Sequence, residues 1–114
     1  MHELSIIASL FDILLEKAKE QRANKIVRVV LKVGHLSGAV PDCLESSFNI
    51  YKKDTLAGEA VLEIREVPLR VRCSHCRTET VKNDYIFVCP SCGSTDLEII
   101  EGTELLLEKI ELEV

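Results

Sequence analysis

The stretch Cys73-Ser74-His75-Cys76-Arg77-Thr78-Glu79-Thr80-Val81-Lys82-Asn83-Asp84-Tyr85-Ile86-Phe87-Val88-Cys89-Pro90-Ser91-Cys92-Gly93 carries two C-x-x-C pairs separated by twelve residues. A two-residue gap lets both sulfurs of a tight turn face one ion, and two such turns complete a tetrahedron with metal–sulfur distances of about 2.3 Å. Pro90 fixes φ in the second turn and Gly93 admits a positive φ after it. Four soft thiolates select Zn(II), with iron as the other choice. A closed four-thiolate site leaves no position open to a substrate, so its role is structural or regulatory rather than catalytic. A redox dithiol of the thioredoxin type needs only one such pair, in a βαβ setting. The insert from Cys73 to about Gly102 is too short and too polar to fold on apolar burial alone. Zinc binding, on the order of 10–16 kcal/mol in small units of this kind, is the staple that orders it.

Working outward, residues 60–72 alternate (Leu62 and Ile64, then Leu69 and Val71) and read as a long strand broken or bulged at Pro68. Upstream of the Ala57-Gly58-Glu59 turn, Leu44, Phe48 and Tyr51 give a helix opened by Pro41 and Asp42, where proline loses no needed donor and a carboxylate meets the positive helix end. Before a loop at 34–40, Lys25 to Val33 is rich in β-branched residues and reads as a strand. Residues 3–22 form an amphipathic helix, with Leu4, Ile7, Phe11, Leu14, Leu15 and Ala18 on its apolar face. Downstream, residues 104–114 alternate (Leu105, Leu107, then Ile110, Leu112, Val114) against Glu108, Glu111 and Glu113, a half-buried strand with an acidic solvent face. The predicted fold is α+β: two helices on a three-stranded sheet with an inserted four-cysteine, zinc-ribbon-like domain. The corresponding division is 1–72 plus 103–114 for the α+β domain and 73–102 for the zinc-binding domain.

Composition excludes several classes. No apolar run in the 114 residues approaches the roughly 20 needed to span a bilayer, and the N-terminus lacks the zones of a secretory signal. A cytoplasmic protein is expected, with no membrane association. The net charge is −5, and residues 93–114 set one base, Lys109, against seven acids. Three Phe, two Tyr and no Trp leave few rings for stacking on bases. Both features oppose nucleic-acid binding, which calls for a basic face. Five cysteines in a cytosolic chain are unlike a disulfide framework. Cys43 stands apart from the pairs and reads as a small buried hydrophobe. His75 reads as a solvated turn residue within the first pair, and His35 as a loop residue. No nucleophile–base pair or open metal site is visible, so an enzyme is not expected.

The opening Met1-His2-Glu3 offers a second kind of metal chemistry. A histidine in second place keeps the initiator methionine, so the chain starts with a free amine one residue before an imidazole. The Met1 amine and the His2 amide nitrogen close a five-membered chelate ring. The His2 amide and its imidazole close a six-membered one, and Glu3 can add a carboxylate oxygen. Nitrogen-rich, nearly planar ligation suits Ni(II) or Cu(II) rather than tetrahedral zinc.

Taken together, Met1-His2-Glu3, the segment Val30-Leu31-Lys32-Val33-Gly34-His35-Leu36-Ser37-Gly38 leading into Pro41-Asp42 and the Phe48 helix, the two cysteine pairs with Gly93-Ser94, and the closing alternating strand resemble the HypA/HybF family of hydrogenase maturation nickel metallochaperones. The likeness spans essentially the whole chain. It implies an α+β nickel-binding domain with an inserted four-cysteine zinc domain, and delivery of Ni(II) to the large subunit of [NiFe] hydrogenase with a HypB-type GTPase, and in some organisms to urease. Carried over by position, it implies nickel ligation by the Met1 amine, His2 and Glu3 and zinc ligation by Cys73, Cys76, Cys89 and Cys92. Some members place an acidic ligand where Val40 stands here. Valine cannot ligate, so Asp42 substitutes or the remaining ligand comes from elsewhere. Some members carry histidines flanking both cysteine pairs, and here only His75 is present.

The expected function is therefore that of a nickel carrier with a structural zinc site. Exposed edges on a three-stranded sheet also leave room for a homodimer or strand exchange. The alternatives are a zinc-ribbon module for protein or nucleic-acid binding without nickel function, and a rubredoxin-like electron carrier suggested by Cys89-Pro90-Ser91-Cys92-Gly93. Two amphipathic helices ahead of the insert are no part of such a carrier.

Overall fold

The structure is a computed structural model that describes residues 3–84 and 86–114. Helix α1 (Glu3–Glu20) is followed by strand β1 (Lys25–Gly34), helix α2 (Pro41–Tyr51), strands β2 (Val61–Val67), β3 (Leu69–Cys73), β4 (Glu79–Lys82) and β5 (Leu97–Glu101), and the closing strand β6 (Leu105–Glu113). They form two three-stranded sheets, in the orders β2-β1-β6 and β4-β3-β5. The body is elongated, with extents of 55 × 24 × 17 Å. No helix among the described residues is long and apolar enough to cross a membrane.

In the first sheet β1 runs parallel to β2 and antiparallel to β6. A parallel pair needs a crossover connection, and α2 supplies it. The core gathers Ile7, Leu10, Phe11, Leu14 and Ala18 of α1, Leu44 and Phe48 of α2, and Ile26, Val29, Leu31 and Val33 of β1. Phe11 lies 5.3 Å from Phe48 and 5.7 Å from Tyr51, centroid to centroid, a tilted arrangement that aromatic quadrupoles favour. The apolar stripe of α1 differs from the sequence reading at its margins. Leu10 is buried, whereas Leu4 is 53 % and Leu15 38 % exposed. At about 100° per residue both fall about 60–80° to one side of Ile7, at the edge of the face that meets the sheet.

β6 holds two register shifts against β1, one between Ile26 and Arg28 and one between Val30 and Leu31. The second leaves Glu108 unpaired between Leu107 and Lys109. It is a bulge that restores Leu105, Leu107, Ile110 and Leu112 to the core side despite a one-residue slip in their alternation. The acids of this strand are met by bases across the sheet. Arg28 of β1 pairs with Glu111, and also with Glu63 of β2, and Arg65 of β2 pairs with Glu108, while Lys109 of β6 itself pairs with Glu111. The acidic face foreseen for residues 104–114 is thus largely neutralised within the fold.

The strand expected over residues 60–72 divides at Pro68, and its two halves lie in different sheets. Proline has no N–H for a ladder, so the chain changes sheets there. Leu69, Val71 and Cys73 of β3 are buried in the second sheet, while Arg70 and Arg72 turn to the other face and pair with Glu79 and Glu101. The two sheets meet at two glycines. The Gly34 amide donates to Glu104 O and the Leu36 amide to Gly102 O, each at 2.7 Å. Gly102 has φ +117°, and a Cβ there would lie 2.6 Å from Leu69 Cα.

Candidate metal centre

Each cysteine pair is built on a backbone knuckle. In the first, the Cys73 amide donates to Thr78 O at 3.0 Å and the Arg77 amide to Cys73 O at 2.9 Å. In the second, the Cys89 amide donates to Ser94 O at 2.8 Å and the Gly93 amide to Cys89 O at 2.9 Å. The residue after each pair takes the same left-handed conformation, Arg77 at φ +65° and Gly93 at φ +77°. Only the second position has the glycine that this region favours, so the first knuckle carries a strain of about 1–2 kcal/mol.

The two knuckles bring four sulfurs together. All four Sγ atoms lie within 4.8 Å of one another, with Cys73–Cys92 at 3.5 Å and Cys76–Cys89 at 3.6 Å. A tetrahedron with 2.3 Å metal–sulfur bonds has edges of about 3.8 Å, so the cage has the size of one tetrahedral ion. Cys73 and Cys89 are buried, Cys76 is half-buried and Cys92 exposed. Thr78, which the spacing of the cysteines did not single out, contacts Cys76 Sγ through its hydroxyl at 3.2 Å.

The thiols are unequal. The Thr78 hydroxyl and amide draw the Cys76 thiol down to about 6. The Cys76 amide, 3.4 Å from Cys73 Sγ, lowers Cys73 as well. For Cys92 the Ser94 amide pulls downward, but desolvation and three neighbouring thiols outweigh it and push the group up to about 12. Four mutually close thiolates repel, and only a bound cation lets all four ionise. This donor set fits zinc, or another thiophilic ion of tetrahedral preference. Among the described residues these cysteines are the one group of three or more metal-ligating side chains within reach of a shared ion.

Met1 and His2 lie outside the described residues, so the amine and imidazole expected to bind nickel are not placed. Glu3 is placed. Its Oε2 accepts the Val40 amide at 3.0 Å, and this bond holds its carboxyl below the usual value of 4.5. Val40 is the N-cap of α2 and supplies no side-chain cap of its own. The Glu3 carboxylate therefore caps α2 from the first turn of α1, an arrangement no local sequence signal announces. Asp42 is exposed on the first turn of α2. The structure does not gather Glu3 and Asp42 with a third ligand among the described residues. His35 Nε2 lies 3.5 Å from Glu66 Oε1, and His75 is exposed in the first knuckle. Cys43, expected as a buried hydrophobe, is instead exposed. It sits on α2 one residue before the buried Leu44, about 100° around the helix from the stripe of Leu44 and Phe48.

The whole-chain comparisons decide the family. The profile of the family described as "Hydrogenase/urease nickel incorporation, metallochaperone, hypA" matches residues 1–112. The chain belongs to the HypA family. Among its relatives, the hydrogenase maturation factor HypA of Aquifex aeolicus (strain VF5) is 39 % identical over 114 residues, covering 100 % of this chain and 99 % of its own. That of Moorella thermoacetica is 42 % identical over 111 residues, with 97 % and 98 % covered. The solution structure of the Ni metallochaperone HypA from Helicobacter pylori superposes with a TM-score of 0.67 at 30 % identity, covering 99 % of this chain and 98 % of that one. A second HypA solution structure gives 0.70 at 31 % identity, with 98 % and 96 % covered. The α+β architecture with its four-cysteine cluster thus belongs to a chain that matches members of the family along its full length.

Proposed function

We propose that this protein binds Ni(II) through the Met1 amine, His2 and Glu3, holds Zn(II) on Cys73, Cys76, Cys89 and Cys92, and hands nickel on for the maturation of [NiFe] hydrogenase. In this reading it is a carrier and not an enzyme, it acts in the cytoplasm, and its partners are a HypB-type GTPase and the hydrogenase large subunit. Urease is a further recipient, and a homodimer would form through the outer edges of β2 and β6. The proposed units are a nickel-binding part, 1–72 with 103–114, and a zinc-binding part, 73–102. β3 (Leu69–Cys73) pairs within the second sheet, so residues 69–72 fold with the zinc-binding part and the hinge between the two parts falls at Pro68.

The observation that carries this reading is the family match from residue 1 through 112. The four-thiol cage supports it by elimination. A closed tetrahedral site has no position for a transient second ion, so the cargo must bind elsewhere, on donors that let go readily. An amine, a deprotonated amide and an imidazole at a chain end meet that need, since protonation or fraying opens the chelate. The test is calorimetric titration of Ni(II) into untagged, zinc-loaded protein, beside His2→Ala and a variant with one residue added before Met1. One nickel bound by the wild type and lost in both variants is the expected result. Equal binding by all three would place the cargo at other donors.

A further inference from the structure

The two knuckles repeat one pattern until their last hydroxyls. Thr78 stands two residues after Cys76, and Ser94 two residues after Cys92. The same backbone bond holds both, Thr78 O accepting the Cys73 amide at 3.0 Å and Ser94 O the Cys89 amide at 2.8 Å. Each also turns its own amide to a sulfur, Thr78 to Cys76 and Ser94 to Cys92. The side chains then differ. Thr78 Oγ1 lies 3.2 Å from Cys76 Sγ, whereas Ser94 Oγ accepts the Asp96 amide at 3.1 Å. Asp96 is itself fixed, because its carbonyl accepts the Ser74 amide of the first knuckle at 3.0 Å. Exposure divides the sulfurs in the same sense. Cys92 is exposed and Cys76 half-buried, while Cys73 and Cys89 are buried.

We propose that Cys92 is the reactive thiolate of the metal-loaded cage, the one a soft electrophile modifies first, and that Thr78 is the positioning residue that quiets its counterpart, Cys76. This rests on the zinc reading of the cage. A metal-bound cysteine is a thiolate and only accepts, so the Thr78 hydroxyl donates to it. A hydrogen bond to an ionised sulfur stabilises the charge in place and draws density from the lone pair that would attack. Amide and hydroxyl of one residue therefore restrain Cys76 and fix its direction toward the ion. Cys92 has the Ser94 amide, while the Ser94 hydroxyl oxygen is turned to Asp96. Its exposure completes the case, since an electrophile reaches it without opening the fold. With iodoacetamide as the electrophile, the sulfur lone pair forms the S–C bond, iodide leaves with the electrons of the C–I bond, and no proton moves.

The experiment treats zinc-loaded, untagged protein with substoichiometric iodoacetamide and locates the carboxamidomethyl group by fragment mass. Among the cage sulfurs Cys92 is expected to carry it first; Cys43, exposed and outside the cage, is scored apart. Thr78→Val should raise the Cys76 rate by about 5–10-fold, the worth of one hydrogen bond to a thiolate, and leave Cys92 as it was. Thr78→Ser should return Cys76 to its wild-type rate, and Ser94→Ala should leave Cys92 unchanged. With Co(II) in the cage, the sulfur-to-cobalt charge-transfer band should move to longer wavelength in Thr78→Val and return in Thr78→Ser, which a loss of packing alone would not produce. Metal content and far-UV circular dichroism equal to the wild type show that each variant keeps the cage. Equal rates at Cys76 and Cys92 in the wild type, or a Cys76 rate untouched by Thr78→Val, overturn the proposal and leave the zinc reading standing. A faster Cys92 in Ser94→Ala overturns it as well, since both knuckles would then be shielded alike. A wild type that retains no metal overturns the zinc reading and the proposal together.

Discussion

Replacing Gly34 with alanine probes the junction on which the site depends. A Cβ at Gly34 would sit 2.1 Å from Gly102 O, 2.3 Å from Gly102 C and 2.7 Å from Thr103 N. All three are backbone atoms, and ordinary contact begins at 3.4 Å, so the strand ends must separate by more than 1 Å. That displacement breaks the bonds from the Gly34 amide to Glu104 O and from the Leu36 amide to Gly102 O, both 2.7 Å long. Each contributes about 1 kcal/mol net, and the residual overpacking adds about 1–3 kcal/mol. The expected loss for Gly34→Ala is therefore about 3–5 kcal/mol, a third or more of a typical domain's stability. At a urea dependence of about 1.5 kcal/mol/M this moves the midpoint by about 2–3 M. Gly38→Ala is the control, because Gly38 has φ +86° with nothing within 4 Å of its Cβ position. It meets only the conformational cost of about 1–2 kcal/mol. Urea unfolding of the zinc-loaded protein, followed by circular dichroism, compares the two. If Gly34→Ala unfolds at the same urea concentration as Gly38→Ala, the close approach of the strand ends is wrong, and so is the placement of the 35–40 loop.

Three further outcomes follow from the same structure. Stripping the metal with a chelator should collapse the amide dispersion of residues 69–101 in a nitrogen–proton correlation spectrum while that of the α1/α2 core persists, because the core cluster includes no residue of that span. Retained dispersion in β3, β4 and β5 would show that the ion is not their staple. Arg77→Gly should stabilise the metal-loaded protein by about 0.5–1 kcal/mol by relieving the left-handed strain at φ +65°. Gly93→Ala should cost about 1 kcal/mol at φ +77° with open space around its Cβ, and equal effects of one sign in these two variants would refute the knuckle geometry. The Glu3 anchor should depend on pH in the acid range. Its folded value lies below 4.5, because the Val40 amide favours the carboxylate, so the contact is fully present above the ordinary glutamate value and is lost as pH falls through the depressed one. The Val40 amide shift, followed from pH 7 downward, should stay constant to below 4.5; a change near neutrality would mean that some other group holds that amide.

The parts legible in the sequence were those governed by local chemistry. Two C-x-x-C pairs define a cage whatever lies between them, and the slip in alternation between Leu107 and Ile110 marks the site of the Glu108 bulge. Pro68 announced a break, but that the break separates two sheets depends on Gly34 and Gly102 allowing backbones to meet, which is a tertiary fact. Leu4 and Leu15 look apolar enough for the core, yet helix geometry sets them at its margin. Cys43 seemed buried by its chemistry, but its position beside Leu44 on the helical wheel decides otherwise. The long-range polar contacts, Glu3 with Val40 and His35 with Glu66, join residues 37 and 31 positions apart, and no spacing rule reaches that far.

The two metal chemistries make opposite demands, and the chain separates them accordingly. A structural ion needs donors that cannot leave, and the cysteines are fixed by paired knuckles whose amides and carbonyls are spent on one another. A cargo ion needs donors that can leave one at a time. The proposed nickel ligands precede and include Glu3, whose carboxylate accepts the exposed Val40 amide. The 35–40 loop links the two regimes physically. It receives Glu3 at Val40, bonds to the end of β2 through the His35 amide, and bonds to Gly102 beside the second sheet through the Leu36 amide. Any shift of the loop on nickel loading therefore bears directly on the Gly34–Gly102 contact, where backbones already in close approach have no slack to absorb it. With nickel bound as proposed, the contiguous path from its site toward the second sheet runs through this junction.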